Sequence, residues 1–147
     1  NLQGTDVTNF QAAGVRQGRQ FADQCDQLLR HIGFELSGSR NLRDIGVEID
    51  QVAIVPGGRE VLFEYKGSVQ GSRPGLLRTD TLKKAIANGA LLRAKGYSEP
   101  YVVLTSHLPA EGAGKAMLET AREAGYFDDV ICIYDPGSHA RLKSMRS

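Results

Sequence analysis

The chain has 147 residues, 41% hydrophobic and 24% charged, with a formal net charge of +1, which suits one domain with a sizeable core. No apolar run approaches the roughly 20 residues of a membrane span, and the N-terminus lacks the basic-then-apolar pattern of a signal peptide, so a cytoplasmic location without a membrane partner is expected. The sequence opens on Asn1 rather than Met, as a processed chain or a piece of a longer protein would, and one domain is expected over 1–147.

From about Asn9 to His31 apolar residues recur at threes and fours, among them Phe10, Ala22, Cys25, Leu28, Leu29 and Ile32, and Gly33 follows as a stop signal. This predicts an amphipathic helix. A short extended piece near Phe34–Ser37 and a polar loop, Gly38–Gly46, then lead into two strand-like runs, Val47–Val55 and Glu60–Lys66, joined by the hairpin signal Pro56-Gly57-Gly58. After a Gly/Ser/Arg-rich loop, Gly67–Leu77, a second helix is expected from a cap at Thr79 or Asp80 to Gly96. A fully apolar strand at Tyr101–Thr105, a third helix near Gly114–Ala124, a strand near Val130–Tyr134 and a basic tail complete the chain. Cys25 and Cys132 are far apart without ligand spacing, which argues against a zinc site or a disulfide framework and casts both as small buried residues. Strands apolar along their length and alternating with helices predict an α/β fold, a mixed sheet covered on both faces.

Within such a sheet a charged side chain is costly unless it is paired or holds a metal, and Asp50, Glu64 and Lys66 interrupt otherwise apolar strands. Alternation puts Glu48 and Asp50 on one face of the first strand and Glu64 and Lys66 on one face of the second. A three-residue hairpin loop closed by Val55 and Arg59 would set Asp50 opposite Glu64 and Glu48 opposite Lys66. Directly opposed carboxylates lie about 5 Å apart at Cβ and repel unless a cation sits between them, and a hard divalent metal resolves that repulsion. The lysine two residues on can lower the pKa of an attacking water or neutralise charge on a pentavalent phosphate. The Tyr65 side chain points away, while its backbone carbonyl is a further candidate metal ligand. The competing arrangement is a surface ion-pair ladder of Glu48 and Lys66 beside a solvated Asp50.

Residues 59–95 hold eight basic against three acidic side chains, net +5, whereas residues 96–130 hold two against six, net −4. One cationic flank suits nucleic acid docking from one side. Phosphate contacts call for Lys, Arg, Ser and helix-terminal amides near the scissile bond, so Ser68, Arg73, Arg78, Lys83 and Lys84 are the candidate DNA-backbone contacts. Gly112-Ala113-Gly114-Lys115 imitates part of a P-loop, but Pro109 and Ala116 occupy positions that need Gly and Ser/Thr. His31, His107 and His139 fall on separate elements without zinc-ligand spacing; His107, after the fourth strand, reads as a capping or surface residue.

The order helix, hairpin with Asp-x13-Glu-x-Lys, helix, strand over roughly residues 10–106 resembles the PD-(D/E)xK nucleases, which include restriction endonucleases and archaeal Holliday-junction resolvases. The resemblance implies a restriction-endonuclease-like three-layer α/β/α fold and DNA cleavage with Mg2+, for which Mn2+ substitutes. It also implies Asp50 and Glu64 as metal ligands, with the Tyr65 carbonyl and Glu48 as additional candidates, and Lys66 as the catalytic lysine. Double-strand cutting by such enzymes usually takes two sites, which implies a homodimer or further domains. The junction resolvases carry a first-helix glutamate where this sequence has Ala22, with Asp23, Asp26 and Glu48 the nearby acids, and Ile49 replaces the proline that precedes the first acid in many restriction enzymes. A restriction or defence nuclease is the leading expectation. A repair or junction-resolving nuclease and a non-catalytic DNA-binding domain are the alternatives.

Overall fold

A computed structural model describes residues 17–67 and 75–147. Helix α1 spans Gln17–Ile32, β1 Glu35–Leu42, β2 Val47–Ile54, β3 Glu60–Lys66, α2 Thr79–Ala94, β4 Tyr101–Thr105, α3 Gly112–Glu123, β5 Asp129–Cys132 and α4 Pro136–Met145; a single 3-10 turn, Gly75–Leu77, precedes α2. The five strands lie in the order β1-β2-β3-β4-β5, antiparallel from β1 to β3 and parallel from β3 to β5. The expected mixed α/β sheet between helices is present. Among the described residues no helix is long and apolar enough to cross a membrane.

Each face of the sheet has its own core. On one, Phe21, Cys25, Leu28, Leu29 and Ile32 of α1 and Leu142 of α4 pack on Ala53, Val61, Phe63, Val102, Leu104 and Ile131. Burying each such large apolar side chain stabilises the fold by about 2 kcal/mol. On the other, Leu82, Ala85 and Leu92 of α2 and Leu118 and Ala121 of α3 cover Val52, Leu62, Tyr101, Val103 and Val130. β4 is buried along its whole length, as a central parallel strand between two helical layers should be.

The hairpin closes as its sequence predicts. Val55 N donates to Arg59 O at 2.8 Å, and Gly57 and Gly58 take φ of 97° and 88°, a region that L side chains avoid. Gln51 pairs with Phe63, Val52 with Leu62, Ala53 with Val61 and Ile54 with Glu60, which is the expected register.

Several boundaries differ from expectation. β1 continues through Leu42, across a stretch expected to be loop; its alternately exposed and half-buried residues carry almost no apolar signal, because it is an edge strand. The N-cap of α2 is Arg78, without a side-chain capping bond, rather than Thr79 or Asp80. The last strand is Asp129–Cys132, and the expected basic tail is helix α4, started by the Asp135 side chain accepting from Gly137 N and by Pro136. Cys25 is buried, as expected, whereas Cys132 is half-buried. The expected helical stretch before Gln17 lies outside the described residues.

Candidate functional site

The site lies where β2 and β3 part. Their ladder ends at Gln51 and Phe63, while β3 stays paired to β4 as far as Lys66 and Thr105. Past that point β2 carries one extra residue relative to β1, since Gly38 pairs with Val52 but Arg40 with Ile49. The extra residue resets the side-chain alternation, so Val47, Ile49 and Val52 all pack in the α2-side core. Strict alternation from Val52 would turn Asp50 to that side too; the bulge turns it away. The expected direct pairings of Asp50 with Glu64 and of Glu48 with Lys66 are therefore not made: Glu48 sits opposite Asn41 of β1 and is exposed.

Asp50 instead takes the place of the missing strand partner. Its Oδ2 accepts the backbone N–H of Tyr65 at 2.7 Å, which draws the carboxylate into the cleft between the strands. It also lines a recess of about 260 Å³ with Phe21, Ala22, Asp26, Tyr65 and Gly67. Gly67 is required here, since a Cβ would stand 2.3 Å from the Phe21 ring.

Glu64 is met from the other side. Its Oε2 accepts from Lys66 Nζ at 3.0 Å and from Asn88 Nδ2 of α2 at 3.3 Å. Its Oε1 is buried and has no hydrogen-bond partner. Burial, and next the nearby Asp50 charge, push the Glu64 carboxyl up to about 7 against the opposing pull of Lys66 and Asn88. Asp50 is raised too, by burial above all, with the Tyr65 amide and Lys66 acting in the opposite direction and Glu48 adding to the rise. Asp50 thus opens towards the α1 side of the sheet and Glu64 and Lys66 towards the α2 side, and the three charges are coupled electrostatically across the end of β3.

A buried carboxylate oxygen without a partner, in the field of a second carboxylate, is a fit for a hard cation, which brings charge and coordination together. The carboxylate donors at the cluster are Asp50 and Glu64; among the described residues no group of three or more His, Cys, Asp or Glu side chains is gathered for a metal ion. A bound cation would complete its shell from the Tyr65 carbonyl and water. The Lys66 side chain, 21% exposed, pairs with Glu64 rather than Glu48, so no surface ladder of Glu48 and Lys66 forms.

The basic surface returns to the same end of the sheet. Thr105 Oγ1 donates to the Lys66 carbonyl at 2.7 Å, and Leu76 N donates to His107 O at 3.1 Å, so the turn that leads into α2 docks beside the end of β3. Arg78, Lys83 and Lys84 are exposed there, over the first turns of α2. Ser68 and Arg73 lie outside the described residues. His107 keeps its Nδ1 on Ser106 Oγ at 2.9 Å, and burial lowers its pKa.

Asn88 and Gln51 stand at the site without having been expected there, and Tyr65 and Asp26, expected as a carbonyl ligand and a nearby acid, take part through a side-chain hydrogen bond to each other. Asn88 falls on the inward stripe of α2, three residues after Ala85 and four before Leu92, and a polar residue on an apolar stripe was the available signal. Gln51, Tyr65 and Asp26 form a hydrogen-bonded set beside Asp50, which depends on the bulge and has no sequence signature. Compared with protein-family models, curated proteins and solved structures, the chain gives no significant match.

Proposed function

We propose that the chain is a metal-dependent DNA endonuclease of the PD-(D/E)xK type, hydrolysing phosphodiester bonds at Asp50, Glu64 and Lys66. The observation that carries the reading is the buried Glu64 carboxylate, whose Oε1 has no hydrogen-bond partner, whose pKa the Asp50 charge helps to raise, and whose Oε2 lies 3.0 Å from Lys66 Nζ. Asp50 and Glu64, helped by the Tyr65 carbonyl, would hold Mg2+ or Mn2+, which when bound supplies Lewis acidity at the phosphate and a more acidic water. Metal binding and a neutral Glu64 exclude each other, so the charged form needed at the site is the one that burial penalises when the site is empty of cation.

Lys66 has a distinct task. Its ammonium offers three donors and a full charge at a half-buried position, enough to orient a water and to stabilise the phosphorane as negative charge accumulates. Asn88 holds the Glu64 Oε2 edge and leaves Oε1 free to point elsewhere. Arg78, Lys83 and Lys84, with Ser68 and Arg73, would bind the DNA backbone and carry no base specificity themselves.

Ala22 lines the recess beside Asp50, so the helix position that bears an acid in the junction resolvases is at the site but offers no ligand. This favours a restriction or defence nuclease over a junction-resolving one. The test is incubation of linear, supercoiled and branched DNA with the protein, with and without Mg2+ or Mn2+. Metal-dependent cutting of linear or supercoiled DNA supports the reading, and preferential cutting at branches supports the junction-resolving alternative. Binding without cutting under every condition would leave a nuclease-like fold that serves only to bind DNA.

A further inference from the structure

We propose that Asp26, on α1, is a positioning residue that holds Asp50 in the cleft by fixing the residues on either side of it, Gln51 and Tyr65. The inference rests on the nuclease reading only for its catalytic consequence.

Asp26 Oδ1 accepts two hydrogen bonds, from the Tyr65 hydroxyl at 2.6 Å and from Gln51 Nε2 at 3.1 Å. Each donor belongs to a different strand. Tyr65 is the residue whose backbone N–H binds Asp50 Oδ2, so fixing its side chain fixes the amide that orients the carboxylate. Gln51 is buried and follows Asp50 directly; its Oε1 accepts from Gly38 N at 2.6 Å and from Val52 N at 3.1 Å. Those two amides flank the irregular pairing of β1 with β2, so the Gln51 side chain satisfies the backbone that the bulge leaves unpaired. Asp26 therefore ties α1, the bulge on β2 and the end of β3 to one oxygen atom.

An apolar residue at 26 would leave the buried Gln51 amide nitrogen and the Tyr65 hydroxyl without acceptors. Such groups recover partners by moving, and the strands that carry them are the ones that frame Asp50. Asp26 also lines the recess beside Asp50. What its place in the network requires is an acceptor of this shape, because both bonds to Oδ1 are donated by neutral groups. Asparagine retains that oxygen, and alanine does not.

The experiment compares Asp26→Ala and Asp26→Asn with the parent by amide hydrogen exchange and by cleavage kinetics. Exchange at the Tyr65, Val52 and Gly38 amides should rise by about tenfold or more in Asp26→Ala, with Leu104 of β4 unchanged, and should return close to the parent rate in Asp26→Asn. Cleavage by Asp26→Ala should lose about tenfold in kcat with KM for DNA within about twofold, and Asp26→Asn should restore it. Unchanged exchange at these amides in a folded Asp26→Ala protein overturns the proposal, and so does an Asp26→Asn protein as impaired as Asp26→Ala, which would mean that the charge itself acts. A parent that cuts no DNA defeats the nuclease reading, and the exchange measurements still decide whether Asp26 holds Asp50.

Discussion

Replacing Glu64 by glutamine should make the metal-free protein more stable at pH 8 and no more stable at pH 4.5. In the folded chain the Glu64 carboxyl titrates at about 7, against an ordinary value of 4.5, with burial the largest cause and Asp50 the next. Below pH 4.5 folded and unfolded chains are both protonated at this site. As pH rises toward 7 the unfolded chain releases its proton while the folded one retains it, so stability falls, and the loss is complete above 7. The difference amounts to about 3 kcal/mol. Glutamine preserves the shape and the oxygen that Lys66 and Asn88 contact but has no charge to bury, so it escapes this penalty. Urea unfolding of parent and Glu64→Gln between pH 4.5 and 8.5 in EDTA measures the difference directly. Mg2+ at ten times its dissociation constant should then return about 1.4 kcal/mol to the parent at pH 8 and almost nothing to Glu64→Gln. A stability difference that stays flat across this pH range would refute the account of Glu64 as a buried carboxylate awaiting a cation.

Removing Asn88 by Asn88→Ala withdraws one of the two donors to Glu64 and should move the acidic limb of the pH–rate profile for cleavage to higher pH; a limb that stays in place would show that the 3.3 Å hydrogen bond does not tune the carboxylate. DNA affinity should fall steeply with salt, and replacing Arg73, Arg78 and Lys83 together by Ala should flatten the plot of log K against log salt by about one unit for each phosphate no longer neutralised. An unchanged slope would move the DNA surface to another face. Gly67→Ala drives a Cβ to within 2.3 Å of the buried Phe21 ring and should destabilise the fold by about 1–3 kcal/mol in urea titration, whereas a neutral result would show that α1 shifts freely against β3.

The parts of the fold that sequence reading captured are those in which burial is strong and local. The three-residue loop Pro56-Gly57-Gly58 between two apolar runs fixes the hairpin and its register, because a one-residue slip would turn Ala53 and Phe63 out of the α1-side core. β1 escaped beyond Ser37 because Gly38, Ser39, Arg40 and Asn41 form an edge strand held by backbone pairing, the Gln51 side chain and the Arg40–Glu60 ion pair rather than by apolar burial. α4 escaped because only Leu142 and Ser138 of its ten residues are buried, although Asp135-Pro136 is a helix-start signal. At the site, the three charged residues stood out as polar groups in apolar strands. Their final orientation did not, since the bulge that turns Asp50 into the cleft arises from pairing with β1 and from bonds reaching α1.

The proposed nuclease mechanism has Lys66 and Asp50 act on the reaction rather than on DNA binding or folding. Its most direct test is single-turnover cleavage by parent, Lys66→Ala and Asp50→Ala proteins, each shown to be folded and each with its DNA affinity measured alongside. Lys66→Ala should bind DNA within a few fold of the parent and cut it on the order of 10²-fold or more slowly, as removal of a charge partner from the transition state requires. Asp50→Ala should cut nothing at practical Mg2+ concentrations while binding DNA as well as the parent or better, because a negative charge has left the neighbourhood of the phosphate. Folded variants that cut as fast as the parent would contradict the assignment of hydrolysis to this cluster.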